Sequence, residues 1–148
     1  MKKVIVIRQA PLQTVMDVHG KISEFRGAGY DQAVFEDRLK GKKCLLSVGF
    51  IGNAPAGYMV AYERWEDGSI YCWLAGVLPE FRRLGIMTRL MAALEKWAKA
   101  EKYKKITIKT RNARREMLAF LVKRGFNFTH IQPKHRMEEN RLLLEKVL

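Results

Sequence analysis

The sequence predicts an α/β fold: a single domain with a mixed central β-sheet of about seven strands flanked by about four helices. Three observations lead to this prediction. Short apolar runs rich in β-branched and aromatic residues alternate with segments whose apolar residues recur every three or four positions. The 148 residues are enough to enclose one hydrophobic core. No linker, repeat or low-complexity stretch divides residues 1–148, so we expect one domain over this range.

Three strands and two helices are predicted in the first part of the chain. The strands fall at 4–8, 43–50 and 56–65, and the helices at 11–22 and 31–40. Asp31 is a residue type that commonly caps a helix N-terminus. Gly-Asn-Ala-Pro at 52–55 is typical of a turn. The glycine-containing segment at 23–30 predicts a loop between the two helices.

The second part of the chain begins with a predicted hairpin turn at Asp67 and Gly68. The nearly continuous apolar run at 70–78 predicts a central strand that is covered on both faces. Further strands are predicted at 105–110, 126–132 and 141–148, and a helix at 114–124 that ends at Gly125. Another helix follows residue 85, and its apolar stripe predicts core positions at Ile86, Leu90, Met91, Leu94, Trp97 and Ala98.

A basic, glycine-containing turn joins the central strand to that last helix. Residues 79–91 read Pro-Glu-Phe-Arg-Arg-Leu-Gly-Ile-Met-Thr-Arg-Leu-Met. A helix N-terminus presents unpaired backbone N–H groups and the positive end of the helix dipole, which together favour a phosphate group. Arg82, Arg83 and Arg89 add positive charge, and Gly85 leaves room for close approach to the backbone. Neither the dinucleotide-binding fingerprint nor the P-loop pattern is present.

This segment resembles the acetyl-CoA signature of the GNAT N-acetyltransferase superfamily. The signature residues are Arg-Arg-Leu-Gly-Ile-Met at 82–87, preceded by Val-Leu-Pro-Glu-Phe at 77–81. Downstream, residues 106–110 and 117–126 resemble the next strand of that family and its helix ending in Lys-x-Gly-Phe. The resemblance extends over essentially the whole chain. It implies acetyl-CoA as cosubstrate and direct transfer of an acetyl group to a primary amine.

The resemblance also implies the positions of the cofactor site. The backbone amides at 83–88 are expected to bind the pyrophosphate, and the pantetheine arm is expected to lie along the strand edge at 75–77, where two central strands part. The expected cofactor-binding residues are Ala75, Gly76, Val77, Arg82, Arg83, Leu84, Gly85, Ile86, Met87 and Thr88. In the same family the loop between the first two helices helps to form the acceptor site, so Phe25 and Tyr30 are candidates for acceptor binding.

Three positions depart from the family pattern. Met87 replaces a usual Gly or Ala, Leu121 replaces a Tyr that protonates the departing thiolate, and Tyr71 stands where some members have a catalytic Glu. The general base therefore stays open, with Tyr71, Glu63 and Glu24 as candidates that each also have an ordinary structural explanation. The departures favour one alternative function, a CoA-binding GNAT-like module with weak or lost catalysis.

The charge balance predicts an affinity for anions. The chain has 28 Lys and Arg against 15 Asp and Glu, a formal net charge of +13. Such a charge attracts anionic partners and disfavours polycationic acceptors. A nucleic-acid-binding function is not favoured, because the aromatic residues lie within apolar runs and are not interleaved with basic residues. The acceptor is thus expected to be a small-molecule or peptide amine.

The remaining expectations concern cysteines, metals and location. Cys44 and Cys72 lie in apolar strand-like runs and are expected to be reduced and buried. The three histidines have no metal-ligand spacing, so no metal is expected. No apolar run approaches the ~20 residues of a membrane span, and a cytoplasmic location is expected. Dimers are common in the resembled family, which makes a homodimer a further expectation.

Overall fold

Seven strands form one mixed sheet in this computed structural model, which describes residues 4–25, 27 and 29–148. The strands are β1 Ile5–Gln9, β2 Cys44–Ile51, β3 Ala54–Tyr62, β4 Ser69–Val77, β5 Lys105–Arg111, β6 Asn127–Gln132 and β7 Arg141–Val147. Their order is β1-β2-β3-β4-β5-β7-β6. The β4–β5 pair is parallel and the other neighbours are antiparallel. The predicted mixed α/β sheet is confirmed.

Four α-helices cover the sheet: α1 Leu12–His19, α2 Gln32–Leu39, α3 Ile86–Ala100 and α4 Arg115–Lys123. The predicted N-cap of α2 is present, since the Asp31 carboxylate accepts a hydrogen bond from the Val34 N–H at 3.0 Å. Among the described residues, no helix is long and apolar enough to cross a bilayer.

Some predicted boundaries were wrong. The first helix was predicted to reach residue 22 but ends at His19, because the chain turns at Gly20 and enters a 3₁₀ turn at Ser23–Phe25. That turn lies in the predicted loop at 23–30, of which residues 26 and 28 are outside the described part. The strand predicted at 56–65 runs instead from Ala54 to Tyr62, because Pro55 pairs with Phe50 next to a register shift.

Each face of the sheet has its own hydrophobic core. Leu90 and Leu94 of α3 and Leu118 and Leu121 of α4 pack in the core on one face. The core on the other face contains residues of α1 and α2 together with Tyr58, Val60, Tyr71 and Trp73. The predicted stripe of α3 is confirmed, since its members are buried apart from the half-buried Trp97. The central strand β4 is covered on both faces, as predicted.

Candidate functional site

The strands β4 and β5 separate halfway along their length. Their pairing runs from Ser69 opposite Lys105 to Cys72 opposite Ile108 and then stops, although β4 continues to Val77 and β5 to Arg111. A register shift between β3 and β4 lies at the same level, where Val60 pairs with Leu74 and Ala61 with Cys72. Such a bulge bends the strand that contains the extra residue. The edge of β4 from Trp73 onward is therefore free to pair with an extended ligand.

The first residue of α3, Ile86, lies nine positions after Val77 at the end of this free edge, and the N-terminus of α3 presents unpaired amides. In the described part of the chain, none of the backbone N–H groups from Arg83 to Thr88 donates to a backbone carbonyl. The first such bond into the helix runs from the Arg89 N–H to the Gly85 carbonyl at 3.1 Å. Six successive free donors at the positive end of a 15-residue helix form a strong anion site.

The conformation of the turn before α3 opens this site. Gly85 has φ 88°, the left-handed region that favours glycine, and a Cβ added there would meet nothing within 4 Å. Glycine is therefore favoured here by the backbone conformation, since no neighbouring side chain needs the space. Arg83, two residues earlier, also has a positive φ of 64°. A left-handed residue within a turn can direct successive backbone N–H groups toward one concavity. The Met87 side chain packs half-buried against the core.

Arg82 connects the anion site to the loop after α1. Its Nε donates to the Val77 carbonyl oxygen at 3.0 Å, and its Nη2 lies 2.5 Å from a carboxylate oxygen of Glu24. Both side chains of the ion pair are more than a third exposed, so its contribution to stability is small. The pair holds the 3₁₀ turn beside the end of β4.

Phe25 and Tyr30, the candidates for acceptor binding, both contact β4 beyond the split, the point after Cys72 where β4 and β5 stop pairing. A Cβ on Gly76 would lie 2.9 Å from the Phe25 ring, which shows that the ring lies directly over this glycine. The Tyr30 ring packs edge-on against Trp73 with 5.7 Å between centroids. Phe25 and Tyr30 line a cavity of about 370 Å³ together with residues of α1 and Asp31. The structure thus brings the two predicted residues together on the side of the sheet opposite α3.

A buried histidine in this cavity was missed by the sequence analysis. His19 is 6% exposed, and its Nδ1 lies 2.8 Å from the hydroxyl of the fully buried Tyr58. Its ring stacks on Phe25 at 5.0 Å between centroids. Burial lowers the pKa of His19, partly offset by a hydrogen bond to the backbone of Tyr30. His19 is therefore neutral at pH 7 and fixes the loop that contains Phe25.

The three candidates for the general base lie in different surroundings. Burial raises the pKa of Tyr71, so its phenol stays protonated at neutral pH. The Glu63 carboxylate accepts a hydrogen bond from the Tyr103 hydroxyl at 3.1 Å. A hydrogen bond from Ser23 and the pairing with Arg82 lower the pKa of Glu24 and make it a weak base. The structure does not bring these three side chains together.

Two further side chains, Leu121 and Cys72, are chemically unreactive. Leu121 of α4 is 0% exposed within the core, so α4 offers no hydroxyl at this position. Cys72 is the last residue of β4 paired with β5, and complete burial raises the pKa of its thiol to about 12. Cys44 and Cys72 are both free cysteines, and Cys72 is buried as expected, whereas Cys44 is only half-buried. No group of metal-binding side chains occurs in the described ranges.

Comparisons with known proteins agree with this geometry. The pattern of the acetyltransferase (GNAT) family matches residues 12–126. Curated protein sequences give no match. Among solved structures, the ribosomal-protein-S18-alanine N-acetyltransferase of Escherichia coli is 14% identical with a TM-score of 0.82, covering 97% of this chain and 94% of that one.

Two similar structures contain parts of the expected ligands. A GNAT family acetyltransferase of Elizabethkingia anophelis, solved with acetyl-CoA bound, has a TM-score of 0.74 and 20% identity, with coverage of 97% and 98%. Naa50 of Arabidopsis thaliana, in complex with the bisubstrate analogue CoA-Ac-MVNAL, has a TM-score of 0.78 and 14% identity, with coverage of 97% and 99%. At these identities the likeness shows a shared fold.

An open strand edge beside a helix terminus with free N–H groups defines a class of site that takes a phosphate-bearing ligand with an extended arm. The chain belongs to the GNAT acetyltransferase family, because the family pattern matches most of its length. It is an N-acetyltransferase, and acetyl-CoA is its cosubstrate. The sequence predictions of family, enzyme class and cosubstrate are confirmed.

Proposed function

We propose that this chain, as one domain over residues 1–148, transfers the acetyl group of acetyl-CoA to a primary amine by direct attack of the amine. The observation that carries the proposal is that β4 and β5 stop pairing after Cys72, while β4 continues as a free edge toward the N-terminus of α3. The acetyl donor supplies an activated thioester carbonyl. The protein supplies a binding edge, an anion site and an apolar cavity for the acceptor.

The predicted cofactor-binding residues fit this ligand. The free amides at 83–88 suit the pyrophosphate, and the arginines at 82 and 83 add charge. The unpaired edge of β4 at 75–77 suits the amide groups of the pantetheine arm, which can add to it as an extra strand would. Phe25 and Tyr30, on the opposite face, suit the apolar part of an acceptor.

The protein residues in this arrangement favour direct transfer. The amine nitrogen forms the C–N bond while the C–S bond breaks, so no acetyl group is held by the protein. Cys72 is the nucleophile nearest the end of the paired region, but its thiol is 1% exposed and has a pKa of about 12. Because Tyr71 is protonated, Glu24 is a weak base and the Glu63 carboxylate is engaged by the Tyr103 hydroxyl, the amine passes its proton to water in this proposal.

Intact-protein mass spectrometry tests the direct route. After incubation with acetyl-CoA and no amine, we expect the unmodified mass. Cys72→Ala should keep turnover in a thiol-release assay within about threefold, with Cys44→Ala as the matched control, since neither thiol takes part. An acetyl adduct that forms and disappears at the rate of turnover, and that is lost in Cys72→Ala alone, would contradict direct transfer.

The burial of Leu121 favours one second candidate, a CoA-binding module with weak or lost catalysis. The family resemblance places a tyrosine at this position, whereas α4 presents a fully buried hydrocarbon side chain. Loss of a proton donor typically costs ~10²–10⁴-fold in rate. Acetyl-CoA binding with little or no thiol release across a broad amine panel would support this candidate, and efficient turnover of any one amine would exclude it.

A further inference from the structure

Five cationic side chains gather where β4 and β5 part, on the face of the sheet opposite α3. We call them the basic cluster: Arg38, Arg64, Lys109, Lys134 and Arg141. Lys109 is at its centre, because it directly follows Ile108, the last residue of β5 that pairs with β4. Ile106 and Ile108 face α3 and α4, so the alternation of a strand turns Lys109 to the opposite face.

Arginine 141 shares that face for the same reason. Leu142 and Leu144 of β7 lie in the core beside α3, which turns Arg141 the other way. β7 pairs with β5, and its Leu143 lies opposite Lys109. The two strands therefore present Lys109 and Arg141 on one surface, with Arg141 diagonal to Lys109 because it lies two positions before Leu143.

Two arginines of the cluster are held over aromatic rings. The Arg38 guanidinium carbon lies 4.7 Å from the Trp73 ring centroid. The corresponding carbon of Arg64 lies 5.0 Å from the ring of Tyr71 and 4.9 Å from that of Trp65. Tyr71 and Trp73 flank Cys72, where the pairing of β4 with β5 ends. Stacking fixes the planar guanidinium while its N–H edge stays available for a carboxylate or phosphate.

The charge of the cluster is uncompensated. Within the described residues, none of the five side chains takes part in an ion pair. Burial lowers the pKa of Lys109, and the charges of Arg64, Arg141, Lys134 and Arg38 lower it further. The neighbouring carboxylates have other partners, since Glu145 pairs with Lys105 and Asp67 accepts hydrogen bonds from Ser69. Crowded cations without a counterion are destabilising, so an anionic ligand would relieve their repulsion.

A cavity of about 380 Å³ lies beside these charges. Lys109, Tyr71, Trp65 and Thr107 are among the residues that line it. The Thr107 hydroxyl oxygen is buried and has no hydrogen-bond partner among the described residues. Unsatisfied buried hydroxyls are uncommon in proteins, and a ligand oxygen would satisfy this one. The volume is that of a small-molecule site, which makes a polynucleotide a poor fit.

We propose that the acceptor is a small primary amine that also carries an anionic group, a carboxylate or a phosphate, and that the basic cluster binds this group. The amine then remains free to reach the split between β4 and β5. That the ligand is an amine acceptor rests on the proposed function. The presence of an anion site is inferred from the basic cluster alone.

Matched pairs of amines test the substrate class. Phosphoethanolamine against ethanolamine, and 4-aminobutanoate against 4-aminobutanamide, each differ in the anionic group. We expect kcat/KM to be at least about tenfold higher for the anionic member of one pair, and the preferred pair identifies phosphate or carboxylate. Lys109→Met should remove the preference. Lys96→Met, on the exposed face of α3, is the matched control and should keep it. Equal kcat/KM values within both pairs would overturn the proposal.

A binding measurement separates this inference from the proposed function. Trp73 and Trp65 lie under the arginines, so their fluorescence reports an anion at the cluster. When the protein is saturated with CoA, titration with inorganic phosphate or succinate should change the tryptophan fluorescence to saturation, whereas chloride should not. Lys109→Met should raise the dissociation constant for these anions about tenfold, and Lys96→Met should leave it unchanged. If CoA does not bind, the proposed function fails, but the same titration of free protein still decides the anion site. Identical curves for the two variants would refute it.

Discussion

At the scale of single residues, the buried pair of His19 and Tyr58 is the feature with the clearest measurable consequence. The imidazole is largely buried, and its contacts include the Tyr58 hydroxyl and the ring of Phe25. Because burial lowers its folded-state pKa below the ordinary 6.5, the unfolded chain binds a proton first as the pH falls. His19 therefore contributes stability above pH 6.5 that is lost as the pH falls through the folded-state pKa.

We expect the free energy of unfolding to fall between pH 8 and pH 5 and to fall less steeply in His19→Phe. The variant keeps an aromatic ring but cannot titrate, and it costs about 1–3 kcal/mol because the Tyr58 hydroxyl loses its partner. Urea unfolding at the two pH values measures both effects. His135→Phe is the control, since His135 is exposed. The same pH slope in wild type and His19→Phe would show that the buried imidazole is not linked to folding.

Residues differ in how well the sequence predicted them. The anion site was predicted because its glycine, arginines and helix start lie in consecutive positions. His19 and Tyr58 are 39 positions apart, on a helix and a strand, and no local pattern pairs them. Gly76 was predicted as a cofactor-binding residue. The structure adds a second reason for glycine at this position, because the Phe25 ring leaves no room for a Cβ, and the sequence alone does not show this contact.

At the scale of elements, the contact between β4 and the loop after α1 joins the free edge of β4 to the wall of the cavity lined by Phe25 and Tyr30. Ile22 in the segment after α1, Phe25 in the 3₁₀ turn and β4 meet at Gly76. A Cβ at this position would lie 2.6 Å from Ile22 Cδ1 and 2.9 Å from Phe25 Cε2. Both distances are shorter than a normal contact, so the loop would have to move.

Gly76→Ala should destabilise the protein by about 1–3 kcal/mol through overpacking. The double variant Gly76→Ala, Ile22→Val should recover part of that cost, because valine lacks the atom in the closest contact. Urea unfolding of wild type, both single variants and the double variant gives the coupling energy. If the destabilisation of the double variant equals the sum of those of the two single variants, the Ile22 contact does not fix the loop.

The elements show where sequence patterns stop being informative. Strand and helix identities followed from periodicity, and most boundaries fell within one residue of the prediction. The larger shifts are at the end of α1 and at both ends of β3, which begins near the turn at Pro55. The parting of β4 and β5 could not be derived from residues alone, because the run at 70–78 stays apolar through the bulge. It was expected only from the family resemblance, and the register of the two strands now shows it.

At the scale of the whole molecule, the net charge of +13 was visible in the sequence but its distribution was not. The cationic residues near the split come from α2, β5, β7 and two connecting segments, so their gathering depends on the fold. The charge predicted a preference for anions, and the structure concentrates part of it on the face of the sheet opposite α3. The other part lies at the N-terminus of α3, where the central claim can be tested directly.

That claim is that the free amides at the start of α3 bind the phosphates of acetyl-CoA. The measurement is calorimetric titration with acetyl-CoA of wild type, Gly85→Asp and Gly85→Asn. The two variants share shape and backbone strain, since aspartate and asparagine tolerate a positive φ alike. They differ in charge alone. We predict binding by wild type and Gly85→Asn, and a loss of about 100-fold or more in Gly85→Asp, because like charges in contact cost several kcal/mol. Equal affinities for the two variants, or no binding by wild type at millimolar acetyl-CoA, would contradict the account.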